Sequence, residues 1–227
     1  MRIYLDNAAT TPLEPAVRDR MVEVMDNIYG NPSSIHEQGR QSRTIVEKAR
    51  KNVAQHLGVA PGEIFFTSGG TEADNMALNC AVFDRGVDHL ITTKIEHDAV
   101  LHPGQRMEDL GYVKVDCVRL KPDGHIDLNH LEELLQTNRD RQTLVSLMHA
   151  NNEIGNMVDL EQVGQLCEIY QALFHSDTVQ TVGHLPINVK QAKVDFITAS
   201  AHKFHGPKGV GFIYINNEIQ VKPFIYG

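Results

Sequence analysis

Most residues that could do chemistry in this chain stand in five polar clusters, each just after a short apolar run. Ser68-Gly69-Gly70-Thr71-Glu72-Ala73-Asp74-Asn75 follows Phe65-Phe66-Thr67 and reads as a glycine loop opening a helix. A helix start leaves backbone N–H groups free, and glycines let an anion come close, so this cluster suits a phosphate. Glu96-His97-Asp98 and His149-Ala150-Asn151-Asn152-Glu153-Ile154-Gly155 end the second and third runs. Asp177-Thr178-Val179-Gln180 ends the fourth, and Ser200-Ala201-His202-Lys203-Phe204-His205-Gly206-Pro207-Lys208-Gly209 the fifth. Together they offer an imidazole, an amide, a carboxylate and an amine.

Each cluster alone has an ordinary reading. A glycine loop is often only a turn at a helix start. His97 and Asp177 suit helix caps, and Lys203 suits a solvated cation. His202 and His205 are spaced as metal ligands can be, but no third ligand lies near them in sequence. His56, His89, His130 and His184 follow no usable pattern. The set as a whole is more selective. A phosphate cradle, a strand-end carboxylate and a lysine between glycine-rich turns match the needs of pyridoxal phosphate. That cofactor takes an amine at its aldehyde, an acid at its ring nitrogen and an anion site at its phosphate. The acid keeps the ring nitrogen protonated and the ring electron-withdrawing, and His97 is able to cover one ring face.

Strands must bring these clusters together. Candidate strands are Glu63–Thr67, His89–Thr93, Val113–Leu120, Leu144–Met148, Leu173–Ser176, Asp195–Ala199 and Gly211–Ile215. Helical stretches fall between the earlier ones at Glu72–Asp84, Ala99–Leu110, Leu128–Thr137 and Leu160–Tyr170, with Asp127 as N-cap of the third. Alternation of this kind predicts an α/β fold with a mostly parallel seven-stranded sheet covered on both faces. Only a Gly/Pro-rich loop joins the last two strands, too short for a helical crossover, so that pair is expected to be antiparallel. Ligands bind at the carboxyl ends of such strands, where the five clusters lie. Ahead of the sheet, Pro15–Tyr29 and Glu37–Leu57 read as amphipathic helices closed by glycine C-caps at Gly30 and Gly58.

The chain has 227 residues, 41% hydrophobic and 22% charged, which excludes disorder as its main state. A net charge of −8 argues against a nucleic-acid binder. No apolar run is long enough for a membrane span, and the first residues lack the apolar region of a signal peptide. The three cysteines, Cys80, Cys117 and Cys167, share no ligand or disulfide spacing, so no metal site and a reducing cytoplasmic location are expected. Cys80, Cys117 and Cys167 all sit in apolar regular elements and read as buried, inert thiols.

Longer motifs carry a resemblance. Tyr4-Leu5-Asp6-Asn7-Ala8-Ala9-Thr10-Thr11-Pro12, Gly30-Asn31-Pro32-Ser33-Ser34-Ile35-His36 and the five clusters, in this order, resemble the cysteine desulfurases of the nitrogen-fixation and iron–sulfur-cluster type. These belong to the class V aminotransferase group with the type I fold of pyridoxal-phosphate transferases. The resemblance covers the whole chain and implies a role for each matched residue. Lys203 would carry the cofactor as a Schiff base and then shuttle the substrate's α-proton. Asp177 would pair with the ring nitrogen and Gln180 with the phenolic oxygen. His97 would stack on the ring and assist proton transfer. Thr71, the Gly70 backbone, Ser200 and His202 would hold the phosphate, and Asn152 would orient the substrate carboxylate.

The implied reaction converts L-cysteine to L-alanine and leaves sulfur on an enzyme cysteine. The sulfur then passes to an acceptor protein for iron–sulfur clusters or other thio-cofactors. A homodimer is also implied. By the same resemblance, residues 1–14 form an arm of a small domain and residues 15–227 the cofactor-binding large domain. The rest of the small domain, with the nucleophilic cysteine and a substrate-binding arginine, is expected beyond Gly227. Selenocysteine lyases share these motifs and stand as an alternative, as does a non-catalytic scaffold that keeps only the cofactor fold. A dinucleotide dehydrogenase fits poorly, because Ser68-Gly69-Gly70-Thr71 lacks the G-x-G-x-x-G spacing.

Overall fold

The computed structural model describes residues 3–226. Seven strands form one sheet: β1 (Ile64–Thr67), β2 (His89–Thr92), β3 (Lys114–Cys117), β4 (Thr143–Ser146), β5 (Leu173–Asp177), β6 (Phe196–Ser200) and β7 (Gly211–Ile215). Their order is β1-β7-β6-β5-β4-β2-β3. The pairs β2/β3, β2/β4, β4/β5 and β5/β6 are parallel. The short loop before β7 makes it antiparallel to β6, as expected, and β1 then joins on its far side, also antiparallel.

Period-two alternation sends neighbouring strand residues to opposite faces. Ile91, Val145, Ile197 and Tyr214 pack with Leu57, Leu135 and Val163 in one apolar cluster. These partners come from α2 (Glu37–Leu57), α5 (Leu128–Thr137) and α6 (Leu160–Ile169). Leu90, Leu144, Phe196 and Ile213 point the other way, onto Ala77 and Val100 of α3 (Gly70–Asn79) and α4 (Asp98–Asp109). The parallel direction of β2, β4, β5 and β6 puts their carboxyl ends, and the polar clusters that follow them, on one rim. Caps fix where the helices begin. Asp127 takes the Asn129 and His130 N–H groups at 3.1 and 3.4 Å, and Gly58 closes α2 at φ 69°.

Several details differ from expectation. The helix expected over Glu72–Asp84 begins at Gly70 and is α-helical to Asn79, with a wider π turn over Cys80–Asp84. Helix α1 (Pro15–Asn27) ends before Gly30, with Ile28 at its C-cap in extended conformation. Gly30 is needed for close approach instead, since a Cβ there would stand 2.3 Å from the Gln38 carbonyl carbon. No α1 residue is buried, and Met21, Val22 and Met25 are exposed. Strand β3 stops at Cys117; beyond it Leu120 pairs with Ile126 in a separate bridge across a Gly124 turn.

Candidate active site

A cavity of about 610 Å³ opens at the carboxyl ends of the parallel strands, within the range usual for small-molecule sites. It brings together all the residues singled out from the sequence: Gly70 and Thr71 after β1, His97 after β2, Asn152 after β4, Asp177 and Gln180 at β5, and Ser200, His202 and Lys203 at β6. Gly70 opens α3 so tightly against the β5 loop that a Cβ would lie 2.7 Å from the Val179 Cγ2. The first turn of α3 thus delivers backbone N–H groups to the cavity wall, where an anion is favoured. His97 caps α4, its Nδ1 taking the Ala99 N–H at 3.0 Å, and lines the cavity as well. Capping and cavity lining coexist in this residue. Asn152 donates to the Glu153 carboxylate at 2.9 Å. His149, in the same cluster, turns away and pairs with the Thr181 hydroxyl at 2.9 Å.

The N-terminal segment lies across the mouth. Gln180 Nε2 donates to the Ala8 carbonyl at 3.0 Å, and the Lys203 amine donates to the same oxygen. His202 Nδ1 pairs with the Thr10 hydroxyl at 3.0 Å, and its carbonyl accepts from the Thr11 N–H at 2.8 Å. His205 Nδ1 meets the Pro12 carbonyl at 3.0 Å. His202 and His205 therefore tie the arm to the β6–β7 turn. Among the described residues, no group of three or more His, Cys, Asp or Glu side chains is placed to hold a metal ion. None of the described helices is long and apolar enough to cross a membrane.

Three cavity acids, Asp6, Asp74 and Glu153, were given no role from the sequence, and Glu153 enters beside Asn152. Asp6 reaches the cavity through the arm, a contact with no local signal. Asp74 was legible, lying one turn after Gly70 and hence on the same face of α3. Its Oδ1 accepts from the Thr198 hydroxyl at 2.6 Å and lies 3.4 Å from His175 Nε2. His175 Nδ1 pairs with the Ser146 hydroxyl at 2.8 Å.

This floor is rich in buried acid. Burial lifts Asp177 to about 7, the Asp74 charge adds to the lift, and the Val179 N–H, His175 and His97 oppose it. Burial lifts Asp74 to about 7 against the Thr198 bond, and Glu96, just behind the cavity, to about 8. Burial pushes His175 down to about 4 and also lowers the Lys203 amine, which Asp177 and Asp6 pull back up. A ligand with a cationic nitrogen at Asp177 and an anionic end at α3 matches this distribution, and pyridoxal phosphate has both.

The same shifts set a pH dependence. The folded chain holds protons on Asp74, Asp177 and Glu96 that the unfolded chain releases near the ordinary values of 3.8 and 4.5. That stabilisation is full below the unfolded values and is lost as pH rises through about 7 to 8. His175 acts in the opposite sense, but only below its ordinary value of 6.5. The urea midpoint should therefore fall between pH 6.5 and about 8. A level or rising midpoint across that window would overturn the assignment.

No cysteine lines the cavity. Cys80 and Cys167 are buried, and burial raises both thiols, Cys80 to about 11. Cys117, expected to be buried, is half-buried because β3 is an edge strand, though burial still raises its thiol.

Comparison with known proteins agrees with the geometry. The chain is 44% identical to a cysteine desulfurase IscS of Dictyoglomus turgidum, over 99% of this chain and 57% of that protein. It is 43% identical to a putative cysteine desulfurase IscS 1 of Bacillus subtilis, over 100% of this chain and 59% of that protein. The chain thus spans under two thirds of the length of these relatives. Among solved structures, a NifS-like protein superposes with a TM-score of 0.94 at 41% identity, covering 100% of this chain and 62% of that one. A structure of SspA in complex with cysteine gives a TM-score of 0.91 at 33% identity, covering 100% of this chain and 65% of that one. The sheet is thus the type I fold of pyridoxal-phosphate enzymes, and the family model of aminotransferase class-V matches residues 3–227: the chain belongs to the class V aminotransferase family.

Proposed function

We propose that the cavity binds pyridoxal phosphate and that the protein is a cysteine desulfurase, converting L-cysteine to L-alanine and passing the sulfur to an acceptor protein for iron–sulfur cluster assembly. The observation that carries this reading is the convergence of the Lys203 amine, the Asp177 acid and the α3 N-terminus on one cavity. When bound, the cofactor supplies an electron sink for the charge left as an amino acid loses its α-proton. The chain's residues do the rest. Thr71 and the Gly70 backbone, with Ser200 and His202, would hold the phosphate. Asp177 holds a negative charge against the ring nitrogen, Gln180 donates to the phenolic oxygen, and His97 shields one face from water. Lys203 anchors the cofactor and moves the α-proton, while Asn152 orients the substrate carboxylate.

In this reading residues 1–14 are an arm of a small domain and residues 15–227 the large domain. A cytoplasmic homodimer belongs to the same reading, supported by the family likeness. The thiol that receives sulfur is none of Cys80, Cys117 and Cys167, since they stand outside the cavity with raised pKa values. The test measures alanine and sulfide from L-cysteine with a mild reductant. It compares the 227-residue chain with a version carrying the remaining length of its relatives. Turnover by the longer version alone is expected. Comparable turnover by the shorter one would return the search to its own three cysteines, and none by either would sink the desulfurase reading.

A further inference from the structure

We propose that Glu96 is a positioning residue, clamping the loop that carries His97 to the loop that carries Asn152. Its side chain does not line the cavity, is 7% exposed and makes two bonds. One oxygen accepts the Met148 backbone N–H at 2.8 Å, just past the end of β4. The other pairs with the Thr93 hydroxyl at 2.9 Å, and that hydroxyl accepts the Ile95 N–H at 3.3 Å. Asn151 completes the clamp from the opposite loop. Its amide donates to the Ile95 carbonyl at 2.7 Å, and its oxygen takes the Glu153 and Ile154 N–H groups at 2.8 and 2.9 Å. Each loop thus satisfies the other's backbone, and each presents one cavity residue, His97 or Asn152.

Those two residues need such support. His97 is exposed, and among the described residues its ring makes one hydrogen bond, the cap bond to Ala99. Asn152 is half-buried, and among the described residues its side chain bonds its neighbour Glu153 alone. With so few side-chain bonds, their placement depends on the backbone beneath them. A buried carboxyl is a costly way to fill space, whereas an apolar side chain would fill it without that cost. The acid's contribution is its pair of bonds. Burial, with the Asp177 and Asp74 charges behind it, raises Glu96 to about 8, so at neutral pH it carries its proton. Glutamine then reproduces the clamp, with its oxygen on the Met148 N–H and its NH₂ on the Thr93 hydroxyl.

The consequence for the cofactor rests on the pyridoxal phosphate reading; the clamp itself does not, and the experiment separates the two. Glu96→Gln, Glu96→Leu and Thr93→Val are compared by amide hydrogen exchange without cofactor. They are then compared by pyridoxal phosphate affinity and visible circular dichroism of the loaded protein. Glu96→Leu should exchange the Met148 amide about tenfold faster and bind pyridoxal phosphate about tenfold more weakly, with a reduced visible band, the order expected for one lost buried hydrogen bond. Glu96→Gln should match the parent in all three. Thr93→Val should move in the direction of Glu96→Leu, and it serves if the leucine variant does not fold. Unchanged Met148 exchange in the leucine and valine variants overturns the clamp, as does a glutamine variant as impaired as leucine. Faster exchange with unchanged affinity and dichroism overturns the positioning role. A parent that binds no pyridoxal phosphate overturns the cofactor reading, while the exchange data still decide the clamp.

Discussion

Borohydride reduction of the protein incubated with pyridoxal phosphate should place a pyridoxyl group on Lys203, and Lys203→Ala should leave the protein unlabelled. The basis is position and charge. Lys203 is half-buried, lines the cavity and donates to the Ala8 carbonyl, whereas Lys94 and Lys208 are exposed and stand outside the lining. Burial lowers its pKa, and a larger free-base fraction is what an amine needs to attack an aldehyde. Asp177 and Asp6 moderate this without cancelling it. Lys203→Arg keeps the charge but removes the nucleophile and should also stay unlabelled. In a protein that turns over, Lys203→Ala should cost at least the ~10²–10⁴-fold of a lost general base, since in the proposed function the same amine also anchors the cofactor. A label on Lys94 or Lys208 in the parent would sink the assignment.

The parts of this protein that were legible in sequence are those set by short-range pattern. Strands β2 and β4 to β7 declared themselves through apolar runs, and the position of each polar cluster just after a run carried the candidate site with it. Helices α2 and α5 match their expected bounds because their ends are set by local chemistry, at Gly58 and Asp127. What was illegible depends on distant partners. Nothing in Ile64–Thr67 says that it will pair with β7 at the sheet edge rather than with β2. Gly30 looks like a helix terminator until Gln38 is seen against it. The apolar residues of α1 promise burial, but within this chain they meet no core. Asp6 and Ala8 reach the cavity across nearly two hundred residues of sequence, the separation of the Lys203–Ala8 bond being 195. Glu96 was visible only as the neighbour of His97; its bond to Met148 spans 52 residues.

Asp177→Asn should weaken pyridoxal phosphate binding and stabilise the cofactor-free protein at alkaline pH, two effects of opposite sign. Asp177 is 6% exposed at the end of β5, and its carboxylate has one resolved partner, the Val179 N–H at 2.9 Å. Its charge is therefore largely available to a cation in the cavity. A hydrogen bond to a charged group contributes about 1.5–3 kcal/mol, so losing it costs roughly one to two decades in affinity. Without a cofactor the same carboxylate is a burden. Desolvation and the Asp74 charge raise it to about 7, so above that pH the fold carries an ion it disfavours. The neutral isostere removes that penalty and lowers the like-charge load on Asp74 and Glu96. The pH-dependent fall in the urea midpoint should accordingly flatten in the variant. Damage to the fold would lower affinity and stability together, so the opposed signs identify the charge itself as the working part. Equal affinity in parent and variant would remove Asp177 from the site, and a steeper loss of stability above pH 7 would show that its ionised form supports the apo fold.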